Sequence, residues 1–380
     1  MSQIRISRRE FLCRGAGFAA YAVAASGNCA ANAAQFRYAK PIIEAHTHLR
    51  VDPIEDIIKT MDAWNIGKAV TVSMPIPWVN WTTEEGAMAL AKHLKPDRII
   101  FFSTVNIKNA DKPNFGESEA ARIQRCVENG AQGIKMYFSP KGHPFSWFNV
   151  GLKINDRRME PIYEACGELN IPLLVHLGSD EAAIAQLMDA AKKCPKTNFI
   201  AAHAMGHGLQ PDFLVTRLKD NPNLYIDTVS VFARAGRQDE IDAARKFFTN
   251  HAERIVFGTD PVMSIFRPGS VEKWRDLKLP QGRNALEGEN RAGLHLPDDV
   301  LDKVYSKNIG RLVGQWNPIN FEYFKPTLEL QVRALEDYLL HAIPELTQRG
   351  EDAGSPKVRV AMVPAEIEHF LEFVGRWLAS

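Results

Sequence analysis

The feature that most constrains this chain is an alternation. Eight short apolar runs, at 42–48, 69–74, 99–105, 133–137, 171–177, 199–203, 224–229 and 254–258, are separated by segments of helical periodicity. In those segments apolar residues recur three and four positions apart, as on one face of a helix. Ile54, Ile57, Ile58, Met61 and Trp64 are an example. Asp52, Pro53 and Glu55 read as that helix's cap, first turn and reciprocal cap. Further helices are predicted over 84–94, 120–126, 158–169, 181–193, 212–219, 239–249 and 297–313. Strand–helix units in succession imply parallel strands and right-handed crossovers. Eight of them predict a closed (β/α)8 TIM barrel. The competing open sheet binds its ligand at one strand reversal, and no Gly-x-Gly-x-x-Gly follows an early run.

The polar residues fall in one place on that barrel. His46 and His48 lie two apart on the first strand, so both rings leave the same face. His176 closes the fifth run, His203 the sixth, and Asp260 follows the eighth. Lys135 sits in the fourth. All are at the C-terminal ends of strands, the rim where this fold carries its chemistry. Four imidazoles and a carboxylate suit a hard-to-borderline metal ion. Glu44, at i−2 from His46, is placed to brace the pair from beneath.

These residues resemble those of the amidohydrolase superfamily, in the branch related to the aromatic-acid decarboxylases. The likeness spans residues 41–316. It includes His46-Thr47-His48, His176, His203, Asp260, the stretch from Asn155-Asp156-Arg157 to Val175-His176, and Lys307-Asn308-Ile309-Gly310-Arg311-Leu312-Val313-Gly314. The resemblance implies that His46, His48, His176 and Asp260 bind one divalent ion, with zinc favoured. It sets His203 behind them or on a second ion. Lys135 then bridges a second metal, binds a substrate anion or supports the rim, and one metal is favoured over two. In this reading Asp260 is the catalytic proton carrier and His203 donates a hydrogen bond to the substrate oxygen. Tyr137, Trp147 and Arg234 are substrate candidates. Other loop residues in the same position are Trp78, Trp81, His143, Phe145, Arg237 and His207. The implied activity is hydrolysis of a C–O or C–N bond in a lactone, ester or amide by metal-activated water. The alternatives are non-oxidative decarboxylation of an aromatic or unsaturated acid, and an exported barrel that binds metal or ligand without turnover.

Outside the barrel, Ser7-Arg8-Arg9-Glu10-Phe11-Leu12 resembles a twin-arginine export motif. It is followed by a mildly apolar segment and small residues at 31–33. Residues 1–34 are expected to be a signal, recognised by the twin-arginine machinery and delivering the protein to the periplasm. The chain therefore divides into 1–34, a barrel at 35–316 and a helical extension at 317–380. The extension is expected to hold helices near 328–342 and 365–378, packed on the barrel or at a subunit contact, which leaves a homo-oligomer open. The long polar segment 262–296 follows the eighth strand and suits a substrate loop. With 46 basic and 45 acidic residues, the net charge of +1 gives no basis for a nucleic-acid partner. No membrane span is expected in the mature form. Beyond the signal, Cys126, Cys166 and Cys194 fit no cysteine metal site; Cys166 and Cys194 read as small apolar residues.

Overall fold

The computed structural model describes residues 40–49, 54–63, 65–76, 82–138, 151–208, 210–229, 231, 237–260, 262–263, 294, 296–314, 316–342 and 364–379. The export segment, the cap at Asp52 and Pro53, the loop residues Trp78, Trp81, His143, Phe145, Trp147 and Arg234, and most of 262–296 lie outside them.

The eight apolar runs are strands: β1 (Ile42–Leu49), β2 (Ile66–Val72), β3 (Ile99–Thr104), β4 (Ile134–Tyr137), β5 (Leu173–His176), β6 (Phe199–Ala201), β7 (Leu224–Asp227) and β8 (Ile255–Val256). They pair in parallel, each with its sequence neighbour from β1 to β8. The chain just after β8 closes the ring. Ala45 N–H donates to Phe257 O (2.7 Å) and Asp260 N–H to His46 O (2.8 Å), and Val262–Met263 pairs with β1.

Between the strands run α1 (Ile54–Ala63), α2 (Glu85–Leu94), α3 (Phe115–Glu128), α4 (Glu160–Glu168), α5 (Glu181–Lys193), α6 (Pro211–Asp220) and α7 (Gln238–His251). The closing helix α8 runs Asp298–Asp302, widens into a π turn at Lys303–Lys307 and ends as Asn308–Val313. Local chemistry sets several starts. The Asp180 carboxylate accepts from Ala183 N–H (2.7 Å) to cap α5. Prolines that have no N–H to lose open α4 and α6.

Val70, Val72, Ile100, Phe102, Leu174, Ile200 and Val256, with Ile309 and Leu312 of α8, form a buried cluster at the barrel. The register places Lys135 beside Leu174 and Tyr137 beside His176. Side-by-side residues of parallel strands share a face, so Lys135 stands level with Leu174 of this apolar cluster, and Tyr137 and His176, two residues on, stand one layer above it.

Two expectations change. The sixth strand stops at Ala201, so His203 lies on a turn and not at a strand end. His203, Ala204 and Met205 have φ of 57°, 47° and 57°. This left-handed backbone is unfavourable for residues with a Cβ. The turn is tied by His203 N–H donating to Asp227 Oδ1 (2.7 Å). In the extension, α9 (Phe321–Asp337) begins well before residue 328 and crosses Pro326, and α10 is Pro364–Leu378. Proline reads as a stop because it loses a backbone hydrogen bond. Burial of Phe321, Phe324, Leu328 and Leu335 outweighs that loss. The extension packs on the barrel. A Cβ on Gly86 would lie 2.3 Å from Leu328 N, and Asn320 Nδ2 donates to Asn129 Oδ1 (2.7 Å). Among the described residues no helix is long and apolar enough to cross a membrane.

Candidate metal centre

Asp260 is where the rim residues meet. Its Oδ1 is 3.4 Å from His46 Nε2 and 3.2 Å from His48 Nε2, and its Oδ2 is 3.0 Å from His203 Nε2. Two atoms that each sit about 2.1 Å from a tetrahedral ion are roughly 3.4 Å apart. The observed separations, which are also those of hydrogen-bonded ion pairs, fit ligand pairs around one ion. Among the described residues His46, His203 and Asp260 form the close group. His48 joins it through Asp260, while its Nδ1 is buried with no hydrogen-bond partner among the described residues. His176 flanks the group. Its ring centroid is 4.8 Å from that of His203, edge-on, and 5.0 Å from that of Tyr137, nearly parallel. The resemblance set His176 among the ligands and His203 behind them or on a second ion; in the structure the His203 nitrogen stands in the close group with His46 and Asp260. The left-handed turn after β6 brings it there. The donor set fits a divalent ion of borderline hardness.

The floor of the centre is buried and its mouth is open. The His46 side chain is 1% exposed and that of His48 7%, against 26% for Asp260 and 21% for His203. The Asp260 and His203 side of the centre is therefore the more exposed one. Lys135 is fully buried, with Nζ 2.8 Å from His46 Nε2. Its strand is held by Thr104 Oγ1 donating to Lys135 O (3.1 Å). Tyr137 OH is 3.3 Å from His48 Nε2.

The electrostatics follow from this burial. Desolvation, then the Lys135 charge, pulls His46 down to about 4. The same two causes hold His176 well below the usual histidine range. Both rings are neutral near pH 7, the form that ligates metal. Burial alone would raise Asp260, but the neighbouring His46, His203 and His48 hold it well below the usual carboxylate range. Desolvation lowers Lys135 to about 8 against the pull of Asp260 and Asp227. Desolvation, then Asp260 and Glu84, raises Tyr137 well above its ordinary value.

Two carboxylates lie under the centre. Glu44 Oε1 accepts from His46 N–H (2.9 Å) and Thr259 N–H (3.0 Å), and Oε2 from Thr259 Oγ1 (2.9 Å). It ties β1 to the segment that carries Asp260, the bracing place expected for it. Asp227 was not singled out from the sequence. It ends β7, is buried and lies 2.7 Å from His46 Nδ1. An acid closing the run Leu224-Tyr225-Ile226 was the available signal. Of the other candidates, His207 stacks on Phe213 and Arg237 pairs with Asp239 on the surface, neither at the centre.

A family model described as Amidohydrolase matches residues 87–315. The chain belongs to the amidohydrolase family. The matched span holds Lys135, His176, His203, Asp227 and Asp260 of this amidohydrolase; His46 and His48 precede it. Among solved structures, a TIM-barrel protein from Bordetella bronchiseptica is 17% identical with a TM-score of 0.50, covering 72% of this chain and 98% of that one. A 2,6-dihydroxybenzoate decarboxylase from Rhizobium is 14% identical (72% and 98% covered, TM-score 0.48). A 4-oxalomesaconate hydratase from Rhodopseudomonas palustris is 17% identical (79% and 100% covered, TM-score 0.48). Likeness at this identity concerns the fold. No curated protein matches the chain.

Proposed function

We propose that this amidohydrolase hydrolyses a C–O or C–N bond of a small organic substrate, a lactone, ester or amide. The observation that carries the reading is Asp260: one carboxylate, 3.0–3.4 Å from three imidazoles, on the open side of a buried centre. His46, His203 and Asp260, with His48 beside them, would hold a divalent ion, and the His/Asp donor set favours zinc. When bound, such an ion supplies Lewis acidity and water activation near neutral pH. Asp260, kept charged by its imidazole neighbours, takes the proton of the attacking water and returns it to the leaving group. The Lys135 ammonium meets a substrate carboxylate or the charge that builds on the carbonyl oxygen. Tyr137 lines the same wall through its contact with His48. The apolar floor beneath excludes water, which strengthens each of these interactions.

The test loads the purified protein with Zn2+ and offers two panels, one of lactones, esters and amides, the other of aromatic and unsaturated acids. Acid release without CO2 from the first panel is expected. CO2 release from the second would replace hydrolysis with decarboxylation. No turnover with any divalent metal would leave a binding barrel. We further propose that residues 1–34 direct export by the twin-arginine route to the periplasm. Changing Arg8 and Arg9 together to Lys should retain the protein in the cytoplasm, as read by cell fractionation.

A further inference from the structure

We infer that Asp227 is a positioning residue that decides which nitrogen of His46 faces the centre and, through the same carboxylate, where His203 stands. The inference rests on the reading of this site as a metal centre.

The two oxygens of Asp227 have separate partners. Oδ2 is 2.7 Å from His46 Nδ1. Oδ1 accepts from the backbone N–H of His203 (2.7 Å) and of Val229 (3.2 Å). Lys135 Nζ, a donor, lies 2.8 Å from His46 Nε2, and the Asp227 oxygen lies against Nδ1, so the neutral ring keeps its proton on Nδ1 and donates it to Asp227. The lone pair of Nε2 is thereby turned toward Asp260 and Lys135, the direction from which a metal would bind. The other oxygen holds the first residue of the left-handed turn at His203, Ala204 and Met205. One buried side chain on β7 thus sets a ligand on β1 and a ligand after β6.

The two backbone donors make substitution by asparagine informative. In Asp227→Asn the amide oxygen stays where the N–H groups of His203 and Val229 need an acceptor. The amide NH2 then faces His46 Nδ1 and donates to it. The imidazole proton moves to Nε2, the nitrogen that faces the centre. Shape is preserved, yet His46 is blocked as a ligand. In Asp227→Ala nothing forces the proton onto Nε2, although the two backbone donors lose their acceptor. Metal affinity should therefore fall in the order wild type, Ala, Asn. A residue that only fills space predicts the reverse order for the two variants.

The experiment measures Zn2+ affinity of the full chain and both variants by chelator competition, with thermal melts as a folding check. Imidazole-nitrogen NMR of the metal-free wild type and Asn variant reads the His46 tautomer. The expected result is a loss of about 10- to 100-fold in Zn2+ affinity for Asn, with the proton on Nδ1 in the wild type and on Nε2 in the variant. An Asn variant that keeps the Nδ1 proton, or binds Zn2+ within about twofold of wild type, overturns the inference. If the Ala variant does not fold, the tautomer comparison decides alone. If the wild type takes up no Zn2+, the metal reading fails, and the tautomers still decide the role of Asp227.

Discussion

Replacing Glu44 by leucine should destabilise the protein far more than replacing it by glutamine. Glu44 is fully buried and accepts three hydrogen bonds, two from backbone N–H groups and one from the Thr259 hydroxyl. Leucine leaves all three donors without an acceptor. A hydroxyl can turn elsewhere, but a backbone N–H cannot. Two buried N–H groups left unmet cost about 2–6 kcal/mol, at roughly 1–3 each. Against a total stability of about 5–15 kcal/mol this is a large share. Glutamine keeps an oxygen for both N–H groups and presents its NH2 to Thr259 Oγ1, which can accept, so its cost should stay under about 1 kcal/mol. The pH dependence separates the two further. Burial pushes the Glu44 carboxyl up from 4.5 to about 8. Between those values the folded protein holds a proton that the unfolded chain has released. Stability from this group is therefore present below pH 4.5 and declines as pH rises toward 8, and Glu44→Gln should flatten that decline. Urea unfolding of the three proteins near pH 6 and pH 8 reads both effects. A leucine variant as stable as the glutamine variant refutes the reasoning, because unmet buried donors would then cost nothing.

Two further outcomes are expected. Burial, with Lys68 nearby, pulls the Lys92 ammonium down from 10.5 to about 7, while the unfolded lysine keeps its proton to the higher value, so stability should rise with pH across that window. Denaturant melts of Lys92→Met should lack this rise, and an identical pH profile would show the ammonium to be unperturbed. Gly86→Val places a Cβ 2.3 Å from Leu328 N, so α2 and α9 must move apart. A loss of about 1–3 kcal/mol is expected in thermal melts, with faster proteolysis within 317–380; an unchanged melt would mean that α9 is not held there.

How far the sequence could be read depended on the range of the interaction involved. The strands were legible because burial on both faces demands continuous apolar runs such as Leu173-Leu174-Val175, a pattern written in adjacent residues. The rim was legible for the same reason: a polar residue that ends such a run, as His176 does, marks the C-terminal end of its strand. Helix starts were less so: α9 begins at Phe321, ahead of the expected start near 328, where Phe321 and Phe324 are buried.

By itself, then, the sequence determined that eight strand–helix units close into a barrel and that His46, His48, His176, His203 and Asp260 gather on one face. Both follow from periodicity along the chain. Only the tertiary structure decided which imidazoles meet Asp260. His203 enters the close group through a left-handed turn whose N–H is held by Asp227, a residue 24 positions away on the next strand. His46 Nδ1 likewise meets a carboxylate oxygen 181 positions distant. Neither contact has a sequence period, because each exists only once the barrel has closed.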